Sequence, residues 1–186
     1  PIDATGTITF DDVDLSDVQT ASITASNVTG GTATLIGTQG PDLLDNLTLD
    51  PVTNPSSGAY EVDWTYDVPN SEIDFLGEGE TVELTFTVTV DDGSGTANAT
   101  DTQDVVITIT GTNDAPIIDS EPQTGAILET DDNILDPSAD LDPTDATGTI
   151  TFDDVDLSDN PTASILPGTI VAGTAVLTPA QEAALL

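Results

Sequence analysis

Residues 59–68 read AYEVDWTYDV, and residues 81–90 read TVELTFTVTV. Tyr60, Val62, Trp64, Tyr66 and Val68 recur at every second position of the first stretch, and Val82, Leu84, Phe86, Val88 and Val90 do so in the second. A period of two puts each apolar set on one face, which marks a half-buried β-strand. Outward from this pair, VVITIT at 105–110 follows a polar turn, while GTITF at 6–10, TASITA at 20–25 and TATLI at 32–36 are shorter strand-like segments bounded by Gly, Asp and Asn. Many short strands with turn signals between them predict an all-β fold, a β-sandwich of Greek-key type. Helix is minor, with PDLLDNL at 41–47, EIDFL at 72–76 and TPAQEAALL at 178–186 as candidates for single turns or short helices. Trp64, the only tryptophan, is expected in the core.

The sequence repeats itself. Residues 3–17, DATGTITFDDVDLSD, recur letter for letter as residues 145–159, an offset of 145 minus 3, or 142, residues. The alignment continues without gaps through TASI at 20–23 and 162–165, and GTATL at 31–35 against GTAVL at 173–177. A long fixed period signals a modular array. Gly, Asn, Asp and Pro arrive together in GTNDAP at 111–116, which places a boundary there. The expected division is a first module over residues 1–115, lacking its opening strand, and the N-terminal part of the next over 116–186. The chain contains no Met, so it reads as a window on something larger.

Composition narrows the chemistry. The 186 residues include 35 Asp and Glu and no Lys, Arg or His, a formal charge of -35 without an internal cation. No salt bridge can form, and the self-repulsion asks for relief from solution. Two carboxylates ~5 Å apart repel by roughly 3 kcal/mol at an effective dielectric of about 20. A divalent hard cation preferring oxygen, Ca2+ above all, suits this donor set. Catalysis by His, Cys, Lys or Arg is excluded, and nucleic acid and membrane insertion find neither the cations nor the apolar span they need. Three acidic loops sit at strand ends: DDVDLSD at 11–17 and again at 153–159, DDGSG at 91–95, and TND at 112–114. A D-x-D spacing offers two carboxylates from one tight turn, as a cation taking six to eight oxygens requires. The plain alternative is that Asp decorates turns on a solvated surface.

The order GTITFDDVDLSD, LGEGETVELTFTVTVDDGSG, VVITITGTNDAP resembles the VCBS repeat of giant bacterial adhesins, over essentially the whole chain. The same series resembles a cadherin domain, whose D-x-D, L-D-x-E, D-G and N-D-x-x-P motifs build calcium sites between consecutive modules. The resemblance implies tandem Greek-key, immunoglobulin- or cadherin-like β-sandwich modules. It assigns Asp12, Asp14 and Asp17, with Asp91 or Asp92, to the top of the first module. Glu78 and Glu80 are placed at the bottom, the choice between them left open by LGEGE. There they would meet Asn113 and Asp114 of the linker and Asp154, Asp156 and Asp159 of the second module. Glu129, in GAILETDD, corresponds to the first-strand glutamate of the next junction.

The expected function is structural: a calcium-rigidified spacer of a secreted or cell-surface adhesin, acting in adhesion and biofilm and partnered by neighbouring repeats or copies of itself. An alternative is a subunit of an extracellular head-to-tail filament that uses strand exchange. More remote are a carboxylate-only glycosidase and a calcium-dependent module for cell-surface glycans.

Overall fold

The structure, a computed structural model, describes residues 2–127, 145–166 and 168. Along the chain run β1 (Ile2–Asp11), β2 (Thr20–Gly31), α1 (Gln39–Leu44), β3 (Leu47–Leu49), β4 (Thr53–Ser56) and β5 (Ala59–Val68). A 3-10 turn (Asn70–Glu72), β6 (Thr81–Asp91), β7 (Thr100–Thr110), β8 (Ile117–Ile118) and β9 (Phe152–Asp153) follow. The molecule is all-β and antiparallel. One sheet has the order β1-β5-β3 with β4 also on β5, the other has β2-β6-β7, and β8 pairs with β9. Each sheet thus joins strands far apart in sequence, the crossed connection of a Greek-key sandwich.

The two long strands behave as their period demands. Along β6, Val82, Leu84, Phe86 and Val88 are buried while the threonines between them are half-exposed. Along β5, Tyr60, Val62, Tyr66 and Val68 are buried. Beside β6 in the same sheet, Val105, Ile107 and Ile109 of β7 extend its buried face, and Leu43, Leu47, Ile73 and Leu76 complete a single core cluster. Tyr66 and Phe86 join the two sheets, their rings 6.0 Å apart and tilted by 52°. Trp64 is half-buried against this cluster, its indole lying over Gly6 directly opposite on β1 and filling the space a Cβ would take.

Three readings of short segments differ from the structure. TATLI at 32–36 is not a strand: β2 runs on to Gly31, whose φ of +119° ends it, and the amides of Thr32 and Ala33 both donate to the Thr81 carbonyl. Ala33 and Leu35 pack on the core from this bend instead. Helical turn starts at Asn70 and stops at Glu72, because Ile73 and Leu76 are drawn into the core from a turn. Strands β3 and β4, too short to show a period, are found where none was expected. TPAQEAALL at 178–186 and Glu129 lie outside the described residues.

Tyr66 offers a test of this core. Its hydroxyl donates to the Leu43 carbonyl at 3.0 Å, and burial, then the nearby charge of Glu72, push the phenol up from 10.0 to about 12. A raised value means that the folded state holds the proton more tightly. The stability this contributes is fully present below pH 10 and is lost as pH rises through about 12. In Tyr66→Phe, a phenolate absorbance step near pH 12 should vanish, with a loss of about 1 kcal/mol at neutral pH. Retention of that step in the variant would show that another group produces it.

Candidate metal centre

After β9 the chain turns tightly through Asp154–Asp159. The Asp156 amide donates to Asp154 Oδ1 at 3.2 Å, and the Asp159 amide to the Asp156 carbonyl at 3.0 Å. These turns draw the carboxylates of Asp154, Asp156 and Asp159 together, with one oxygen from each within 4.8 Å of the others. Asp156 is only 2% exposed and is the one buried charged residue among those described. Its Oδ2 accepts the Asp114 amide at 2.8 Å, whereas its Oδ1 is buried without any partner. An ionised carboxylate with an unpaired buried oxygen is costly, more so beside two like charges. No Lys, Arg or His exists in the chain to compensate.

The end of the sandwich faces this loop. Leu157 donates its amide to the Phe75 carbonyl at 3.2 Å. Glu80 is locked by reciprocal bonds, its Oε2 taking the Gly77 amide and its own amide reaching the Gly77 carbonyl, each at 3.0 Å. Asn113 donates its amide to Glu78 Oε2 at 3.2 Å. Above Gly77 lies a cradle that a Cβ would fill, bordered by the Ser158 hydroxyl, with Glu80 Oε2 and Asp159 Oδ1 each 3.7 Å from that point. Glu78, Glu80, Asn113, Asp114, Asp154, Asp156 and Asp159 therefore lie around one junction, although only the last three meet as a tight carboxylate set.

Gly111 holds the junction together. Its amide donates to the Glu80 carbonyl at 2.8 Å and its carbonyl accepts the Gly79 amide at 3.1 Å. A methyl there would collide with the Leu76 and Gly77 carbonyl oxygens, which are backbone and cannot swing aside. Gly111→Ala should cost more than ~1 kcal/mol and lower cation affinity at the 153–159 loop. Calorimetric binding equal to the parent's would contradict this.

A second cluster lies at the other end of the sandwich, where Asp12, Asp17 and Asp92, all half-buried, bring carboxylate oxygens within 4.8 Å. Asp12 takes the Asp14 amide at 2.8 Å and the Gln19 side-chain amide at 2.6 Å. The Ser94 hydroxyl and then its amide hold the Asp92 carboxyl below its ordinary value. Asp91 is turned aside, its Oδ1 accepting the Gly93 amide at 2.7 Å, and Asp14 is exposed and outside the cluster. A cleft of about 370 Å³ beside it is lined by Phe10, Asp12, Gln19, Asp92, Asn98 and Asp101. Gln19 was not among the expected residues, and its counterpart 142 positions on is Pro161, so the repeat itself hides it.

No family model, curated protein or solved structure matches the chain. No helix among the described residues is long and apolar enough to cross a membrane.

Proposed function

We propose that this chain is a non-enzymatic, calcium-rigidified repeat of an extracellular adhesin, serving as a spacer between a cell surface and an adhesive tip. The observation that carries the reading is Asp156: a buried carboxylate with one oxygen unpartnered, flanked by Asp154 and Asp159, in a chain with no cation of its own. Asp154, Asp156 and Asp159 would hold the ion, with Glu78, Glu80, Asn113 and Asp114 supplying oxygens from the sandwich end. A donor set of oxygen alone, gathered irregularly from loops, favours calcium over magnesium, which demands near-ideal octahedral geometry. When bound, the ion would neutralise the converging carboxylates. The chain then does the rest: Phe75 and Glu80 seat the loop, and Asp114 fixes the linker against Asp156. The motif order resembling VCBS and cadherin repeats supports the same reading.

Calcium should raise stability by about 2.7 kcal/mol at a free concentration a hundred times the dissociation constant, and magnesium by less. Melting curves unchanged between excess chelator and millimolar calcium would overturn the proposal.

A further inference from the structure

The chain contains a single Asp–Gly step, Asp92–Gly93, in the turn that joins β6 to β7. Such a step carries its own chemistry. The Gly93 backbone nitrogen can attack Cγ of Asp92, and with no Cβ on Gly93 nothing of that residue obstructs the approach. A C–N bond forms, the N–H hydrogen and one carboxyl oxygen depart as water, and a cyclic succinimide closes. Water then adds to either carbonyl of the ring. Opening on one side restores Asp92. Opening on the other leaves the backbone running through the former side chain, a methylene longer and with no net change of mass.

The fold cannot escape this by replacing Gly93. Its φ is +76°, a conformation that favours glycine, and a Cβ there would lie 2.9 Å from the Val18 carbonyl oxygen, a backbone atom that cannot swing aside. Asp92 is equally fixed, its Oδ1 closing the turn on the Ser94 amide at 2.7 Å and its own amide donating to the Ala99 carbonyl at 3.0 Å. Both reacting residues thus answer to other demands, so any restraint has to come from a neighbour.

Asp91 is that neighbour. Its carboxylate stands outside the set formed by Asp12, Asp17 and Asp92, and its Oδ1 accepts the Gly93 amide at 2.7 Å. Ring closure requires that amide to give up its hydrogen and its nitrogen to turn toward Cγ of Asp92. A hydrogen bond to an anion opposes both movements. The nucleophile is therefore bonded to Asp91 while the electrophile is bonded to Ser94, and neither is free to reach the other.

We propose that Asp92–Gly93 is a site of backbone isomerisation, held closed in the folded protein by the Asp91 carboxylate. The first Asp of DDGSG then has a task apart from cation binding. Loss of the restraint has structural consequences. An added methylene lengthens the turn where β6 and β7 end their ladder at Asp91 and Thr100, and it carries the Asp92 carboxylate away from Asp12 and Asp17.

The test is the rate of isoaspartate formation at residue 92, read by peptide mapping with electron-transfer fragmentation. The full chain is held at physiological temperature in neutral buffer with chelator, beside the same chain in denaturant. Chelator keeps the result independent of the calcium reading, whose own failure shows separately as a parent whose melting ignores calcium. The folded parent should isomerise slower than the denatured chain by about tenfold or more, the rate equivalent of one charge-assisted hydrogen bond. Folded Asp91→Ala should lose that protection, while Asp91→Asn, which keeps an acceptor oxygen for the Gly93 amide, should retain most of it. In denaturant the parent and both variants should react alike. Near-UV signals from Trp64, packed against the core, should match the parent in both variants and so report that they are folded. A folded parent that reacts as fast as the denatured chain would overturn the proposal, as would a folded Asp91→Ala that stays as slow as the parent. Acceleration of Asp91→Asn equal to that of Asp91→Ala would overturn it too, because the hydrogen bond would then not be the restraint.

Discussion

In millimolar calcium, Asp156→Asn is expected to lose most of the cation-linked stabilisation, and in chelator the same variant is expected to melt above the parent. Asn keeps the size of the side chain and a carbonyl oxygen for the Asp114 amide, which Asp156 Oδ2 now accepts at 2.8 Å. What it removes is the charge. Without an ion, that charge faces Asp154 and Asp159 with oxygens within 4.8 Å, a repulsion of up to roughly 3 kcal/mol per pair at an effective dielectric of about 20. With an ion, the same carboxylate is a ligand, and its loss forfeits about 2.7 kcal/mol at a hundredfold excess over the dissociation constant and about 4 kcal/mol at a thousandfold. The effect therefore changes sign between the two solutions. A residue that only packs would not do this: equal destabilisation in calcium and chelator, measured by thermal melting, would show that Asp156 is a buried turn residue and no ligand.

The long strands could be read from sequence because their chemistry is local. β5 spans Ala59–Val68, the stretch whose alternation is strict, since each inward apolar residue enforces the register of its neighbours. β7 begins at Thr100, earlier than VVITIT, because β6 offers partners down to Asp91 and the pairing Asp91 with Thr100 extends the ladder over polar residues that carry no pattern. Likewise β2 continues through Asn27 to Gly31 against the far half of β6, at the expense of TATLI. Pairing with a long neighbour decides such boundaries, and a single strand's sequence does not contain its neighbour. Among the acids, the two DDVDLSD loops were legible as a set because they repeat, and GTNDAP because turn residues crowd together there. Burial was not legible: nothing in the letters separates Asp14, exposed, from Asp156, which is 2% exposed. Phe75 reads as one apolar residue of a short helical segment, and its carbonyl, which takes the Leu157 amide, belongs to no motif at all.

Phe86→Ala should produce the largest loss of stability, about 3–5 kcal/mol, in calcium and chelator alike. Phe86 is fully buried at the middle of β6, between the sheets and against Tyr66, so truncation leaves a cavity that neither sheet can close without moving its partner. The position matters beyond the core. β6 has 11 residues, about 35 Å of extended chain, with Glu80 just before it and Asp91 and Asp92 at its far end. It thus spans the sandwich from one acidic cluster to the other, and under the proposed function its length would set the spacing between the two ends of the repeat. Phe86 lies five residues from Thr81, roughly 17 Å along the strand, far enough from the 153–159 loop that the two ends should respond independently. The losses from Phe86→Ala and Asp156→Asn in calcium should therefore add to within about 0.5 kcal/mol. Denaturant unfolding of the two single variants and the double variant measures this. A coupling above ~1 kcal/mol would mean that the junction strains the sandwich through β6, and the spacing between junctions would then depend on whether the ion is bound.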